Sequence, residues 1–500
     1  MAKQIFKTHL NFQEVDPGTI EDKVLVRDSD GNVKEIASTE LGGGIEIKGE
    51  YNNNGEALAA GLVPGDLYRL PITSDSQASL VAMTILLPSA AMRLLFTNID
   101  TTCLNNGIAD KESISDWNAF FETRSSLTFD RVTVTGNEAV FNVSEVPFSN
   151  LKLASLGIAE FSLTDFSDKT LYELDLGFNV LTSFDPSEAL PAMSILQLTY
   201  NPIGNFDPSI ALPNLFNLNL SGCGISDFNP SLPLPNSLYY LYLGENGMTN
   251  FDPSIALPPN LNTLWLAFND LTGFDPSIAL PNSISQLVLA INKLTTFTPS
   301  LPLPANLYAL SLNNNKLTEF DPPTALPSNV ESLHLSNNNL TVFDPAIALP
   351  DNLVLIDLRI NKLTDFNPSI ALPSNLQTLN LDSNDLTAFD PELELPTALT
   401  HLNLEGNNLT VFDPAVSLSN IQQLRLRVNP LTYFNPSSNL DALTLLTLDG
   451  CGINTVGWNL VDWTDSVPNN GVVYAMYNLD TITGSDTEAS LLAKSWSINA

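Results

Sequence analysis

The sequence predicts an α/β-type repeat solenoid, with parallel strands on a concave face, 3₁₀ or extended return segments, and a small α+β module ahead of it. Two observations carry that prediction. One phrase recurs about a dozen times between residues 171 and 453, and a clear copy, Leu261 to Pro281, reads LNTLWLAFNDLTGFDPSIALP. Aligned on its asparagine, the copies fall at 179, 201, 246, 269, 292, 315, 338, 361, 384, 407 and 429, with Cys223 and Cys451 in the same slot and a period of 22 or 23 residues. A unit of that size cannot bury its apolar side alone, so it stacks on its neighbours and the array grows turn by turn.

Each position in the phrase has a physical task. The Leu-x-Leu pair has the period of a strand, so both leucines point inward and the residue between them faces out. The asparagine stands where the chain leaves the strand, and its amide is expected to donate to one neighbouring turn and accept from the other. A cysteine fills the slot as a weaker donor, which accounts for Cys223 and Cys451 without redox chemistry. One phenylalanine per turn, from Phe184 to Phe434, is expected to stack into a spine. The Asp-Pro-Ser that follows starts a turn, and the Leu-Pro soon after leaves no room for a long helix. Leu156 marks an earlier, degenerate turn. The pattern L-x-x-L-x-L-x-x-N-x-L is identified as that of the leucine-rich repeats, a resemblance that implies a binding scaffold whose ligand is set by the positions the consensus leaves free.

The remaining segments read as modules around the array. Residues 1–45 are an extended anchoring segment whose one hairpin signal is KVLVRDSDGNVKEI, and Gly42–Gly44 closes it as a joint. Residues 46–86 are a small α+β module: a strand in IEIKGEY, a helix over 53–60 and a strand near LVAMTI. The phrase from Tyr51 to Pro71, YNNNGEALAAGLVPGDLYRLP, resembles structural proteins of tailed bacteriophages infecting Bacteroidetes. That resemblance implies a virion component attached to other virion proteins through residues 1–86. Residues 87–150 are expected to cap the solenoid, with Ser113 or Ser115 starting a helix that carries Trp117, Phe120 and Phe121, and a hairpin turning at Gly136-Asn137. The solenoid proper is 151–455. Residues 456–500 form the C-terminal cap, with a strand, a helix capped near Ser485 or Asp486 and a last strand in SWSIN; packing is the expected role of Trp458 and Trp496.

Composition narrows the function. A net charge of −35 over 500 residues argues against nucleic acid and anionic membranes as partners, because phosphate binding needs a local excess of Lys and Arg. No apolar run approaches the roughly 20 residues of a membrane helix, and the start lacks the apolar core of a secretory signal. The expectation is synthesis in a host cytoplasm and residence in a virion. Three cysteines are not a disulfide framework, and His9, His334 and His401 do not converge. No catalytic, cofactor or metal site is expected. A column of aspartates after the phenylalanines, Asp185 to Asp413, is read as turn caps in preference to a cation site.

The free positions point to binding. In the first half, the outward strand positions carry Phe178, Tyr200, Phe216, Tyr239, Tyr240, Tyr242, Trp265, Phe268, Ile291 and Tyr308. In the second half they carry His334, Asp357, Arg359, Asp382, His401, Glu405, Arg425 and Arg427. Strand positions facing water have no packing need for Trp and Tyr, whereas a docking surface uses their area and polar edges. The aromatics and the arginines Arg359, Arg425 and Arg427 are therefore the candidate contact residues, with a protein as first ligand and a host glycan as second. A homo-oligomer stays open. Two alternatives remain: that the aromatics merely shield the strand surface, and that the chain is a bacterial leucine-rich-repeat adhesin or effector.

Overall fold

The computed structural model describes residues 91–499, apart from 126–128, 144–149, 165–170, 186–189, 209–211 and 461, together with four strands nearer the N-terminus. The chain divides into two compact units, Met1–Ser89 and Ala90–Ala500. In the first, β1 (Lys23–Arg27) pairs antiparallel with β2 (Val33–Ala37), the pairing the Asp-Ser-Asp-Gly-Asn signal predicts. There too β3 (Ile47–Glu50) pairs in parallel with β4 (Leu67–Arg69). The helix expected over 53–60, the strand expected near 80–85 and most of the phrase from Tyr51 to Pro71 lie outside the described residues.

The second unit opens with an antiparallel sheet of β5 (Ala91–Phe96), β6 (Phe129–Thr135), β7 (Glu138–Val143) and β9 (Ile158–Thr164), in the order β6-β7-β5-β9. Its helices are α1 (Ile99–Asn105) and α2 (Ile114–Glu122). Ser113 caps α2 by accepting from the Asp116 N–H, and Trp117 and Phe121 are fully buried. Their rings meet Phe141 at 5.0 and 5.4 Å, both edge-on. These aromatics are packing residues. The boundary expected at 150 does not separate two bodies: β8 (Asn150–Lys152) belongs to the solenoid sheet, and β9, a few residues later, returns to the cap sheet. The first turn and the cap are thus woven together. An apolar solenoid end gains more cover from such an exchange than from a lid laid across it.

From β8 onward the chain forms one parallel sheet of 16 strands that runs through β24 (Ser497–Asn499). Strands β10 (Glu173–Asp175) to β22 (Leu445–Thr447) are three residues long, one per turn, each in register with the next. In every one the central residue is buried. The strands are short because a left-handed residue follows three positions after each: φ lies between +53° and +60° at Phe178, Tyr200, Glu245, Phe268 and Ile291, and the column continues to Val428. The return leg is extended and closes with a single i→i+3 bond, such as Leu261 N–H to Pro258 O at 3.1 Å and Leu376 N–H to Pro373 O at 3.1 Å. Among the described residues the one 3₁₀ helix is Asp462–Asp465.

Two columns hold successive turns together. From Phe251 to Phe434 the phenylalanine rings stack with centroids 6.1–6.4 Å apart and planes within 17°. Adjacent strands stand only ~4.8 Å apart. Equivalent atoms therefore advance further per turn at the back than at the strands, so the array bends with the strands on the inside. The asparagines form the second column, with a geometry that differs from the expected one. Asn292 Nδ2 donates to Leu266 O and Leu289 O at 3.0 Å each, and its Oδ1 accepts from Leu271 N–H at 3.1 Å. The bonds to Leu266 and Leu271, one donated and one accepted, both serve the preceding turn, and the bond to Leu289 O closes the asparagine's own turn. Cys223 Sγ keeps the donor half, reaching Leu198 O at 3.1 Å, and Cys451 Sγ reaches Leu426 O at 3.4 Å. Burial pushes both thiols up to about 11, so they stay protonated and unreactive at neutral pH.

The aspartate column is a third, exposed tie. Asp252 Oδ1 accepts from the N–H and the hydroxyl of Ser277 in the next turn, each at 2.7 Å, and Asp275 holds Ser300 and Asp344 holds Ser369 in the same way. These bonds favour the carboxylate and hold the three pKa values below their ordinary 3.8. A depressed folded pKa contributes stability above the unfolded value and loses it as the pH falls through the folded one. The triple change of Asp252, Asp275 and Asp344 to Asn keeps an acceptor, as Asn229 already does toward Ser254 N–H at 2.8 Å. We expect it to leave the melting temperature at pH 7 little changed and to flatten its fall between pH 4 and pH 2. An unaltered acid limb in a calorimetric pH series would remove these carboxylates from the account. Every Asp oxygen used here is already committed, and the described residues hold no cluster of three or more potential metal ligands.

At the C-terminal end the sheet continues through β23 (Val472–Tyr474) into β24. Between them lies α4 (Asp486–Ala493), after the short α3 (Thr455–Trp458) earlier in the segment; Ser485 caps α4 through the Glu488 N–H. Phe434 ends the ring stack edge-on against Trp463 at 4.9 Å. Trp496 is buried and donates to Pro468 O at 2.7 Å, while the side chain of Trp458 lies outside the described residues.

Candidate binding face

The candidate residues do not share one strand position; five columns hold them. Tyr240, Tyr242, Trp265 and Arg425 are true outward strand residues. Phe216, Tyr239 and Tyr308 precede their strands by one residue, where the backbone N–H still pairs with the turn before. Phe178, Tyr200, Phe268 and Ile291 sit in the left-handed column next to the asparagine, and Arg359 and Arg427 one residue before that column. The expected strand placement is therefore corrected for all but four. The columns still open on the strand side, because the exit turn keeps the ladder going: Phe178 N–H donates to Thr199 O at 2.7 Å and Phe268 N–H to Ala290 O at 3.1 Å.

The left-handed column departs from what backbone physics prefers. Such a φ suits Gly and Asn, and costs a bulky or β-branched residue roughly 1–3 kcal/mol. Some turns follow the preference, with Gly222, Gly406, Gly450, Asn314 and Asn337. Others place Phe178, Phe268, Ile360 or Val428 there, each about half exposed. Neither folding nor solubility favours an exposed apolar side chain on a strained backbone. A contact surface does.

The structure gathers the first-half aromatics into two groups. Phe178 stacks on Tyr200 at 4.7 Å and 23°. Tyr200 then lies across Gly222, where a Cβ would stand 2.6 Å from its ring, and its hydroxyl donates to Glu245 two turns on at 2.5 Å. Only glycine allows that crossing. The second group is continuous over the strands: Phe216 stacks on Tyr239 at 5.1 Å, both meet Tyr240 edge-on, Tyr240 stacks with Tyr242 at 6.2 Å, and Tyr242 meets Trp265 at 6.3 Å. The Trp265 indole covers Gly244, which brings this group beside Glu245. Phe268 and Tyr308 join neither group by ring contact, though both are exposed. Partial burial pushes the Tyr242 hydroxyl pKa up, so it remains a donor.

The second half has a different chemistry. Arg359 Nε is paired with Asp357 at 3.1 Å, and Arg427 with Glu405 at 3.5 Å, so two of the three candidate arginines already have carboxylate partners. Burial lowers the His334 pKa and raises that of Asp382. Thr378, Asn380, His401, Asn403, Gln423 and Arg425 line a shallow polar recess. Sequence reasoning missed Tyr172 and Glu245 on this face. Glu245 had a readable signal, since it occupies the residue before the slot asparagine, the same place as Phe178, Tyr200 and Phe268.

The family model for the Leucine Rich Repeat matches residues 329–348. No curated protein matches. Among solved structures, YopM from Yersinia enterocolitica WA-314 is similar at 23% identity and a TM-score of 0.41, over 55% of this chain and 57% of that one. The chain thus spans little more than half of that protein's length. The leucine-rich effector protein YopM of Yersinia pestis is similar at 21% identity and a TM-score of 0.43, covering 70% and 88%. A leucine-rich-repeat protein of Leptospira interrogans is similar at 20% and 0.37, covering 70% and 95%.

Proposed function

On a solenoid built of leucine-rich repeats, we propose that the aromatic strand face of the first half is a protein-docking surface and that the chain acts by binding, without catalysis. The observation that carries this is the pair of aromatic groups around Glu245, together with apolar side chains held exposed on strained left-handed backbone a few residues away. Aromatic anchors in mutual contact lose little side-chain freedom on binding, which is what hot spots require. The ion-paired second half, with Arg359, Arg425 and Arg427, serves as a polar flank that sets orientation. The phrase from Tyr51 to Pro71 supports a virion appendage as the setting, with residues 1–86 as attachment segment and a host surface protein or glycan, or another virion subunit, on the face. A bacterial leucine-rich-repeat adhesin or effector would use the same face. Among the described residues no helix is long and apolar enough to cross a membrane.

The test is a double substitution, Tyr242→Ala with Trp265→Ala, compared with the unaltered chain for attachment to host cells or to isolated partner. We expect binding to weaken at least a hundredfold, with a melting temperature changed by only a few degrees. Normal binding with lost stability would instead make the aromatics a shield for the strands. Deleting residues 1–86 separates the settings: incorporation into particles should fail for a virion protein, and unchanged incorporation removes the anchoring role.

A further inference from the structure

We propose that the partner segment seated on this face is polycationic, an extended stretch of polypeptide rich in Arg or Lys; the inference rests on the docking reading above and specifies its ligand. Three observations converge. From Lys169 to Lys293 the chain holds no Lys, Arg or His in between, whereas acids recur, among them Glu173, Asp175, Asp227 and Glu245. Every exposed aromatic of both groups lies inside that interval. Asp270, at the edge of the stretch, is paired with Lys293 at 2.7 Å, but Glu245 lies at its middle, where the sequence supplies no cation, unlike the second half, where Arg359 and Arg427 are paired. The face is complementary to cations alone.

The geometry supplies the recognition. Glu245 is exposed, the Tyr200 hydroxyl holds its carboxylate at the end of the Phe178–Tyr200 stack, and the neighbouring residue Gly244 lies under the Trp265 indole. A guanidinium or ammonium lying on the Trp265 or Tyr242 ring would meet the negative π face and have a carboxylate at its rim, an arrangement stronger than either element alone. From Phe178 to Phe268 are four turns, ~19 Å at the spacing of parallel strands. That is the length of about six extended residues.

The experiment titrates the full chain at 0.15 M salt with four labelled probes: nona-arginine, nona-glutamate, a neutral Gly-Ser-Tyr peptide of equal length, and chitotetraose. Trp265→Ala and Glu245→Gln are the test variants, and Glu331→Gln, on the same side farther along the array, is the control. We expect nona-arginine to bind, with about tenfold weaker affinity in each test variant and unchanged affinity in the control. Equal affinity in all four proteins would mean attraction to net charge alone and overturns the proposal, as does absence of nona-arginine binding. If the neutral peptide or the sugar binds instead in a Trp265-dependent way, the cationic partner is wrong while the docking face stands. If Trp265→Ala weakens no probe and cell attachment is also intact, the docking face falls with it. Melting curves of each variant separate loss of binding from loss of fold.

Discussion

Asn315→Ala is expected to destabilise the solenoid by about 3–5 kcal/mol, mainly through lost hydrogen bonds. The Asn315 amide donates to Leu289 O at 2.9 Å and to Leu312 O at 3.0 Å, and its oxygen accepts from Leu294 N–H at 3.0 Å. All of these groups are buried: alanine orphans the Leu294 N–H at roughly 1–3 kcal/mol and takes one of two donors from each carbonyl, Leu289 O keeping Asn292 and Leu312 O keeping Asn338, at about 0.5–1.5 kcal/mol apiece. Asn315→Cys should fall between alanine and wild type, because Cys223 and Cys451 show that a thiol reaches the same carbonyl. It cannot replace the acceptor. At the turn before Cys223 the Ile203 N–H turns to Asn201 O at 2.8 Å, a local bend that follows Pro202. No proline follows Asn292, so the cysteine variant has no such rescue. Urea unfolding followed by far-UV circular dichroism reads the series, and an alanine variant within 1 kcal/mol of wild type would falsify the ladder as a source of stability.

Why the array was so legible and its face less so follows from how each is specified. Leu264, Leu266, Asn269 and Phe274 recur with one period, and a residue that repeats in register with the turn has the same neighbours in each turn. Its task can be read once and applied throughout. Even so, the amide direction was misread, since spacing tells which residues meet and not which way a side chain leans. The face carries no such repetition. Phe178 and Trp265 looked equivalent as free positions, yet one stands on left-handed backbone and the other on a strand. The crossing of Tyr200 over Gly222 to Glu245 spans two turns and depends on the absence of one side chain between them. The exchange of β8 and β9 between two sheets was hidden for a related reason: Leu151, Leu153 and Ile158 keep the apolar spacing of a single turn, while the chain uses it in two bodies.

Phe320→Ala should cost about as much as the asparagine change, 3–5 kcal/mol, for the opposite physical reason. The ring is buried and stacks on Phe297 at 6.3 Å and on Phe343 at 6.4 Å, with planes within 10°. Its neighbours cannot close the gap, because each is held at its own turn by strand register and by the asparagine ladder. The void therefore persists, lined by apolar groups, and stays dry. Benzene or xenon should enter it and return part of the lost stability, a rescue that Asn315→Ala cannot show. Phe320→Leu, which fills most of the space, should cost about 1–2 kcal/mol. Because each turn touches only its neighbours, a defect at the middle of the array should also divide it. We expect two unfolding steps in urea, with amide exchange accelerated first around residues 297–343. A single transition at the wild-type midpoint would mean that the spine follows from the fold and contributes little to it.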